Sequence, residues 1–181
     1  KPTQNAAAYD AYLRAISLDT TRTDDAALTE QVNLLTTAVR LDPKFALAWA
    51  RLAGARSRFY FNGTDLTNNS AAAVKQAADQ AMALQPELGE SHIAQGLYRY
   101  RVLRDFEGAL QSYGKAMKTL PNDAYLLEQM AFVERRLGQW AIAEDHYRHA
   151  VDLDPKNLDY LTQLAVYLGD RRKFVEAQST W

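Results

Sequence analysis

The chain has 181 residues, of which 48% are hydrophobic and 24% charged, and a formal net charge of −1. This balance excludes a disordered chain and lacks the basic excess of a nucleic-acid-binding domain. The absence of cysteine excludes disulfides, thiolate nucleophiles and Cys-ligated zinc.

The predicted elements are all helical. Eight glycines and five prolines are few for a loop-rich or all-β chain. Alanine, the best helix former, is abundant in stretches such as SAAAVKQAADQAMAL. In chain order, helices are expected over 5–18, 24–41, 44–60, 69–84, 88–103, 106–119, 123–137, 140–153, 157–169 and 173–181. N-caps are expected at Thr23 or Asp24, Asn69, Asp105, Asn122 and Asn157, whose side chains can accept from first-turn amides. No apolar run approaches 18 residues, so no membrane span is expected within the segment. No signal pattern is visible at the start. Cytoplasmic and periplasmic locations are both compatible.

A repeat emerges from spacing. Pro43, Pro86, Pro121 and Pro155 follow leucine-containing helix ends and lie 43, 35 and 34 residues apart in turn. The first interval is the same unit with nine residues inserted. Five residues before the prolines stand Ala38, Ala81, Ala116 and Ala150, and twelve before the last two stand Ala109 and Ala143, with Tyr113 and Tyr147 between. Six residues after the prolines stand Trp49, His92, Leu127 and Leu161. Nine and ten after stand Leu52–Ala53, Gln95–Gly96, Met130–Ala131 and Leu164–Ala165. Small residues at fixed places let two helices approach, and the aromatic fills the gap beside them.

This order of a bulky residue, a large–small pair, an aromatic, two alanines and a closing proline resembles tetratricopeptide repeat (TPR) proteins, well over 24–181 and loosely over 5–23. The 124–157 unit matches throughout, except that Glu134 stands where the first helix should carry a late aromatic. The 89–123 unit matches its second helix, with a turn one residue long, and the 46–88 unit matches at both ends. The resemblance implies an all-α fold, a right-handed superhelix (alpha-alpha solenoid) of TPR helix–turn–helix repeats. One array would run over 1–181, with units at 5–45, 46–88, 89–123, 124–157 and a truncated 158–181. Ala177 and Trp181 fall where Ala143 and Tyr147 fall, so the chain is expected to be a fragment of a longer array that stops within a second helix. Self-association through that end is a further expectation. The entry stretch, with Tyr9–Asp10–Tyr12–Leu13–Arg14, the Thr23–Asp25 turn and Leu41–Asp42–Pro43, resembles TPR segments of bacterial multidomain signalling proteins.

In TPR proteins the first helices line a concave groove that holds a peptide or a partner's helix. The positions carried over are Arg51, Gly54 and Ser57, then Ile93, Leu97 and Tyr100, then Tyr125, Glu128, Phe132 and Arg135, then Thr162 and Val166. The mixture suits a peptide with apolar anchors. The cationic cluster of the TPR subclass that grips a C-terminal carboxylate is missing, since Ala94, Gln129 and Gln163 stand on the equivalent faces. Basic residues recur at first-helix ends, at Arg56, Arg58, Arg101, Arg104, Arg135, Arg136, Arg171, Arg172 and Lys173. They read as complements to the helix dipole rather than as a ridge for an acidic partner.

Catalytic chemistry has no motif here. His146 and His149 are expected to be solvated residues flanking a buried Tyr147, and His92 to be structural, so no metal or cofactor is expected. Ser57, Ser91 and Ser112 lack a base placed by any motif, and no Gly-rich phosphate loop exists. Phe59, Tyr60 and Phe61 precede the Asn62–Gly63 turn in the insertion and read as helix extension or as a contact site. Asn62–Gly63–Thr64 and Asn68–Asn69–Ser70 fit the glycosylation sequon. Two function classes stay open: a non-enzymatic scaffold that binds a protein or peptide, and a regulatory or oligomerisation segment of a larger signalling protein (a kinase, nucleotide cyclase or transcription regulator).

Overall fold

The computed structural model describes residues 2–18, 25–63 and 67–172. Among these residues every regular element is helical. The α-helices are α1 (Ala6–Ser17), α2 (Asp25–Leu41), α3 (Ala46–Phe61), α4 (Asn68–Leu84), α5 (Gly89–Leu97), α6 (Phe106–Ala116), α7 (Ala124–Arg136), α8 (Trp140–Leu153) and α9 (Leu158–Asp170). A π-helical turn, Tyr98–Leu103, continues α5. The expected caps at Thr23 or Asp24, and the expected helix over 173–181 with Ala177 and Trp181, lie outside the described residues.

Side-chain caps set several helix starts. Asp105 Oδ1 accepts from the Gly108 amide at 2.9 Å, and Asn157 Oδ1 from the Asp159 amide at 3.1 Å. Two expected caps shift. Thr67, not Asn69, caps α4 by accepting from the Ser70 amide, and Asp123, not Asn122, caps α7 by accepting from the Leu126 amide at 2.7 Å. In both places adjacent polar residues compete, and the one with extended backbone directly before the helix takes the role.

The chain forms two compact units, Lys1–Ala116 and Met117–Trp181. In the first unit, consecutive helices pair as α1 with α2, α3 with α4, and α5 with α6. In the second, α7 pairs with α8, and α8 also packs on α9. The repeat alanines Ala38, Ala81, Ala116 and Ala150 are buried, as are Ala109 and Ala143. Tyr113 and Tyr147 are buried beside them. Where α2 gives way to α3, Trp49 Nε1 donates to the Pro43 carbonyl at 2.9 Å, pinning the proline turn.

The two irregular intervals are resolved differently. The nine-residue insertion is spread evenly. α3 and α4 have 16 and 17 residues, against 13 and 14 in α7 and α8. The connection at 62–67 is three residues longer than that at 137–139. Phe59, Tyr60 and Phe61 therefore lie in α3, with Phe59 packed on the core and the Phe61 ring 5.7 Å from Tyr100. In the 35-residue unit the turn is the pair Arg104–Asp105, and the supernumerary residue sits in the helix before it as the π-turn. A π-turn accommodates one residue more than the α-helix it interrupts. The chain leaves it through Arg104, which adopts the left-handed conformation at φ 59° while its amide donates to the Arg99 carbonyl.

Candidate functional site

The candidate positions separate by burial. In the first unit Arg51 is exposed and Gly54 half-buried, but Ser57, Ile93, Leu97 and Tyr100 are buried. A Cβ built on Gly54 would stand 3.5 Å from Leu97 Cδ1, so Leu97 fills the space left by the glycine. Tyr100 is wedged between Phe61 and Phe106, at ring separations of 5.7 and 6.0 Å. Leu97 and Tyr100 thus spend their surface on neighbouring helices, and of the first unit's candidates only Arg51 is exposed.

In the second unit an ion pair links α7 to α9. At the C-terminal ends Arg135 Nη1 lies 3.8 Å from Asp170 Oδ2. At the N-terminal ends the Tyr160 hydroxyl feels Glu128, Asp123, Asp154 and Tyr125. Burial is the first cause of its raised pKa, and the surrounding negative charge pushes it further in the same direction. Tyr125, Phe132 and Thr162 are half-buried and Val166 is 48% exposed. Phe132 rests edge-on against Tyr147 at 5.9 Å. Thr162 Oγ1 donates back to the Leu158 carbonyl at 2.6 Å, so its hydroxyl is held by its own helix. The Glu128 side chain is only 8% exposed and accepts from Gln129 Nε2 at 3.1 Å. Of the candidate positions on these two helices Val166 is exposed, Tyr125, Phe132, Arg135 and Thr162 are half-buried, and Glu128 is buried. Asp170, which pairs with Arg135, and Tyr160, on whose hydroxyl Glu128 acts, were not among the sequence candidates for the site. Asp170 could have been found as an acid at the helix end, where cations are expected.

Several of the recurrent arginines have local employment. Arg101 is buried and its Nη1 donates to Ser57 Oγ at 3.0 Å. Its guanidinium and that of Arg104 lie 5.9 and 5.1 Å from the Phe61 ring centroid. Arg56 Nη1 donates to the Ala73 carbonyl at 3.3 Å, and burial lowers its pKa. Arg171 covers Trp140 at 5.2 Å.

One histidine expectation is corrected. His146 is not merely solvated, since its Nδ1 lies 2.8 Å from Oε2 of buried Glu134. This bond explains the departure at Glu134: a carboxylate in the aromatic's place is tolerated because α8 returns a polar partner to it. His149 is exposed, and His92 is half-buried with its pKa lowered by burial first and by the Lys115 charge second. Among the described residues no group of three or more His, Asp or Glu side chains is placed to hold a metal ion, and no helix is long and apolar enough to cross a membrane. The Asn62–Gly63 turn is exposed with Gly63 at φ +78°, and Thr64 of that sequon lies outside the described residues.

No protein-family model matches the chain, and no curated protein matches it in sequence. Solved structures do resemble it. TTC0263, a thermophilic TPR protein in Thermus thermophilus, is 18% identical over 91% of this chain and 83% of that one, with a TM-score of 0.70. PilF of Pseudomonas aeruginosa is 18% identical over 96% and 74% of the two chains, with a TM-score of 0.62. MamA of Desulfovibrio magneticus RS-1 is 13% identical over 98% and 93%, with a TM-score of 0.57. The fold is thus the TPR-type helical repeat anticipated from the proline and alanine spacing.

Proposed function

We propose that this chain is a scaffold that binds a peptide or partner protein along the outward faces of its first helices, with the α7–α9 face as the principal contact. What supports the reading is that Val166 is exposed and Tyr125, Phe132 and Thr162 are only half-buried on these two helices. Apolar anchors set among polar groups on a fixed scaffold are what an extended peptide needs for affinity. Binding also fits the use of the three serines considered for chemistry. Ser57 Oγ donates to the Gly54 carbonyl at 2.8 Å, Ser91 Oγ to Ala81 at 3.0 Å and Ser112 Oγ to Gly108 at 3.0 Å. Each hydroxyl is spent on the helical framework.

The test is selection of random displayed peptides on the 181-residue chain, followed by affinity measurement with the variant Val166→Arg. Val166 is exposed, so the variant should fold with an unchanged melting temperature. A loss of about tenfold or more in affinity is expected. Equal affinity for both chains would overturn the assignment to this face.

A further inference from the structure

The pair Asn62–Gly63 closes α3, and both residues are exposed. Asn62 sits at φ −72° and ψ −6°, directly after the last turn of the helix. Gly63 follows at φ +78°, and a Cβ built on it would meet nothing within 4 Å. The Gly63 amide donates to the Tyr60 carbonyl at 3.2 Å. A hydrogen bond of that length in an exposed turn costs little to open, because water replaces it. Once it opens, rotation about the Asn62 Cα–C bond carries the Gly63 nitrogen to Cγ of the Asn62 side chain. A residue with a Cβ would obstruct that approach, and glycine does not.

The other asparagines are placed against such an attack. Of the seven in the chain only Asn62 precedes a glycine. Asn5 and Asn157 spend their side chains on capping, accepting from the Ala8 and Asp159 amides. Asn33, Asn68 and Asn69 lie within α2 and α4, where the same rotation would break the helical ladder. Asn122 is exposed, but its successor Asp123 carries a side chain fixed by its bond to the Leu126 amide.

We propose that Asn62 is a site of self-modification, converted without any partner into a mixture of aspartyl and isoaspartyl residues. This is independent of the binding role proposed above. The Gly63 nitrogen attacks Cγ, and a succinimide ring closes as the new C–N bond forms. The bond from Cγ to the side-chain nitrogen breaks, and that nitrogen leaves as ammonia with the proton from Gly63. Water then opens the ring. If it cleaves the new bond, the main chain is restored with a carboxylate on the side chain. If it cleaves the original peptide bond, the main chain runs through the side chain and gains one carbon. Either product adds a negative charge after the last turn of α3. The preceding residue is Phe61, whose ring has the Arg101 and Arg104 guanidiniums at 5.9 and 5.1 Å from its centroid. The α3–α4 turn is thus a place where charge and main-chain length change with the age of the molecule.

The test is incubation of the 181-residue chain at mildly alkaline pH, sampled over days by ion exchange and by mass spectrometry of its peptides. A more negative species should accumulate, with the mass gain of an NH2 replaced by OH. Peptide mapping should place the change at Asn62 before Asn69 or Asn122, and an isoaspartyl methyltransferase should label it. The rate should rise with pH, because the attacking nitrogen must lose its proton. It should lie within about tenfold of the rate for the same chain unfolded in urea, since one exposed hydrogen bond separates the two states. Asn62→Gln should abolish the change. Gly63→Ala should slow it by about tenfold or more, read also in urea, where no turn is left for the alanine to strain. A folded rate more than about tenfold below the unfolded one would overturn the inference, because the turn would then be closed to the attack. Conversion first at another asparagine, an unchanged rate in Gly63→Ala, or a product without isoaspartate would each overturn it as well, the last because water would then attack the side chain directly.

Discussion

The helical pairs α5–α6 and α7–α8 begin from one pattern and seat their tyrosines differently. Ten residues past its proline the first pair has Gly96, and a Cβ built there would lie 2.2–2.9 Å from ring carbons of Tyr113. The second pair has Ala131 at the same count, buried in one cluster with Tyr147. The tyrosine of α6 thus presses onto bare backbone, whereas that of α8 accommodates a methyl. At the late first-helix position the pairs diverge again. The first absorbs a residue in its π-turn and buries Tyr100; the second holds Glu134 against His146. The same template tolerates a change of main-chain geometry in one pair and a change of side-chain chemistry in the other.

The largest effect is expected where the first pair leaves no slack. Gly96→Ala should lower unfolding free energy by about 3 kcal/mol, since the fully buried Tyr113 ring has nowhere to move. Chemical denaturation would measure it, and a loss below about 1 kcal/mol would mean that the ring shifts freely. Next, Glu134→Ala should cost about 2 kcal/mol through the cavity and the lost bond to His146. Glu134→Leu should cost about 1 kcal/mol, because it keeps the volume while His146, whose side chain is 21% exposed, can turn its freed nitrogen to water. Equal losses for the two variants would show that charge rather than volume matters at this position.

Smaller still, Arg172→Gly should stabilise by up to about 1 kcal/mol, because Arg172 holds φ 60° and glycine carries no penalty there. Arg104→Gly should give less, since relief at φ 59° is offset by loss of the contact over Phe61. Melting temperatures of the two variants would rank them. The mildest effect concerns pH. Burial and the Lys115 charge depress the His92 pKa in the folded state, so folding excludes a proton that the unfolded ring accepts. The stability from His92 is then complete above the unfolded value of about 6.5 and lost as pH falls from there through the folded pKa. His92→Gln should make the melting temperature fall less between about pH 7.5 and about pH 5 than it does in the native chain.

What could be read from residues alone follows from locality. Helix positions were legible to within about two residues, except at the end of α6, expected at 119 and found at Ala116. The alternatives that failed, Asn69 and Asn122, differ from the true caps Thr67 and Asp123 by one or two positions of similar chemistry. Period 3.6 placed Ile93, Leu97 and Tyr100 on shared faces, but periodicity does not say whether a neighbouring helix covers a face. Here Gly54 invites Leu97 inward, and the π-turn carries Tyr100 between two phenylalanines. The Glu134–His146 bond joins residues twelve apart and depends on how α7 folds back along α8. Its partners were visible in sequence, but their meeting was not.

The π-turn has a consequence for how such a chain tolerates change. In an unbroken α-helix each residue advances the spiral by about 100°, so a single inserted codon would swing every later side chain away from its partner. By widening one turn at Tyr98–Leu103, the helix takes up that codon on the spot. Beyond it, Ala109, Tyr113 and Ala116 keep the same distances to Pro121 that Ala143, Tyr147 and Ala150 keep to Pro155. The widened turn works as an expansion joint: length variation is swallowed within one helix, and the next hairpin inherits an undisturbed phase.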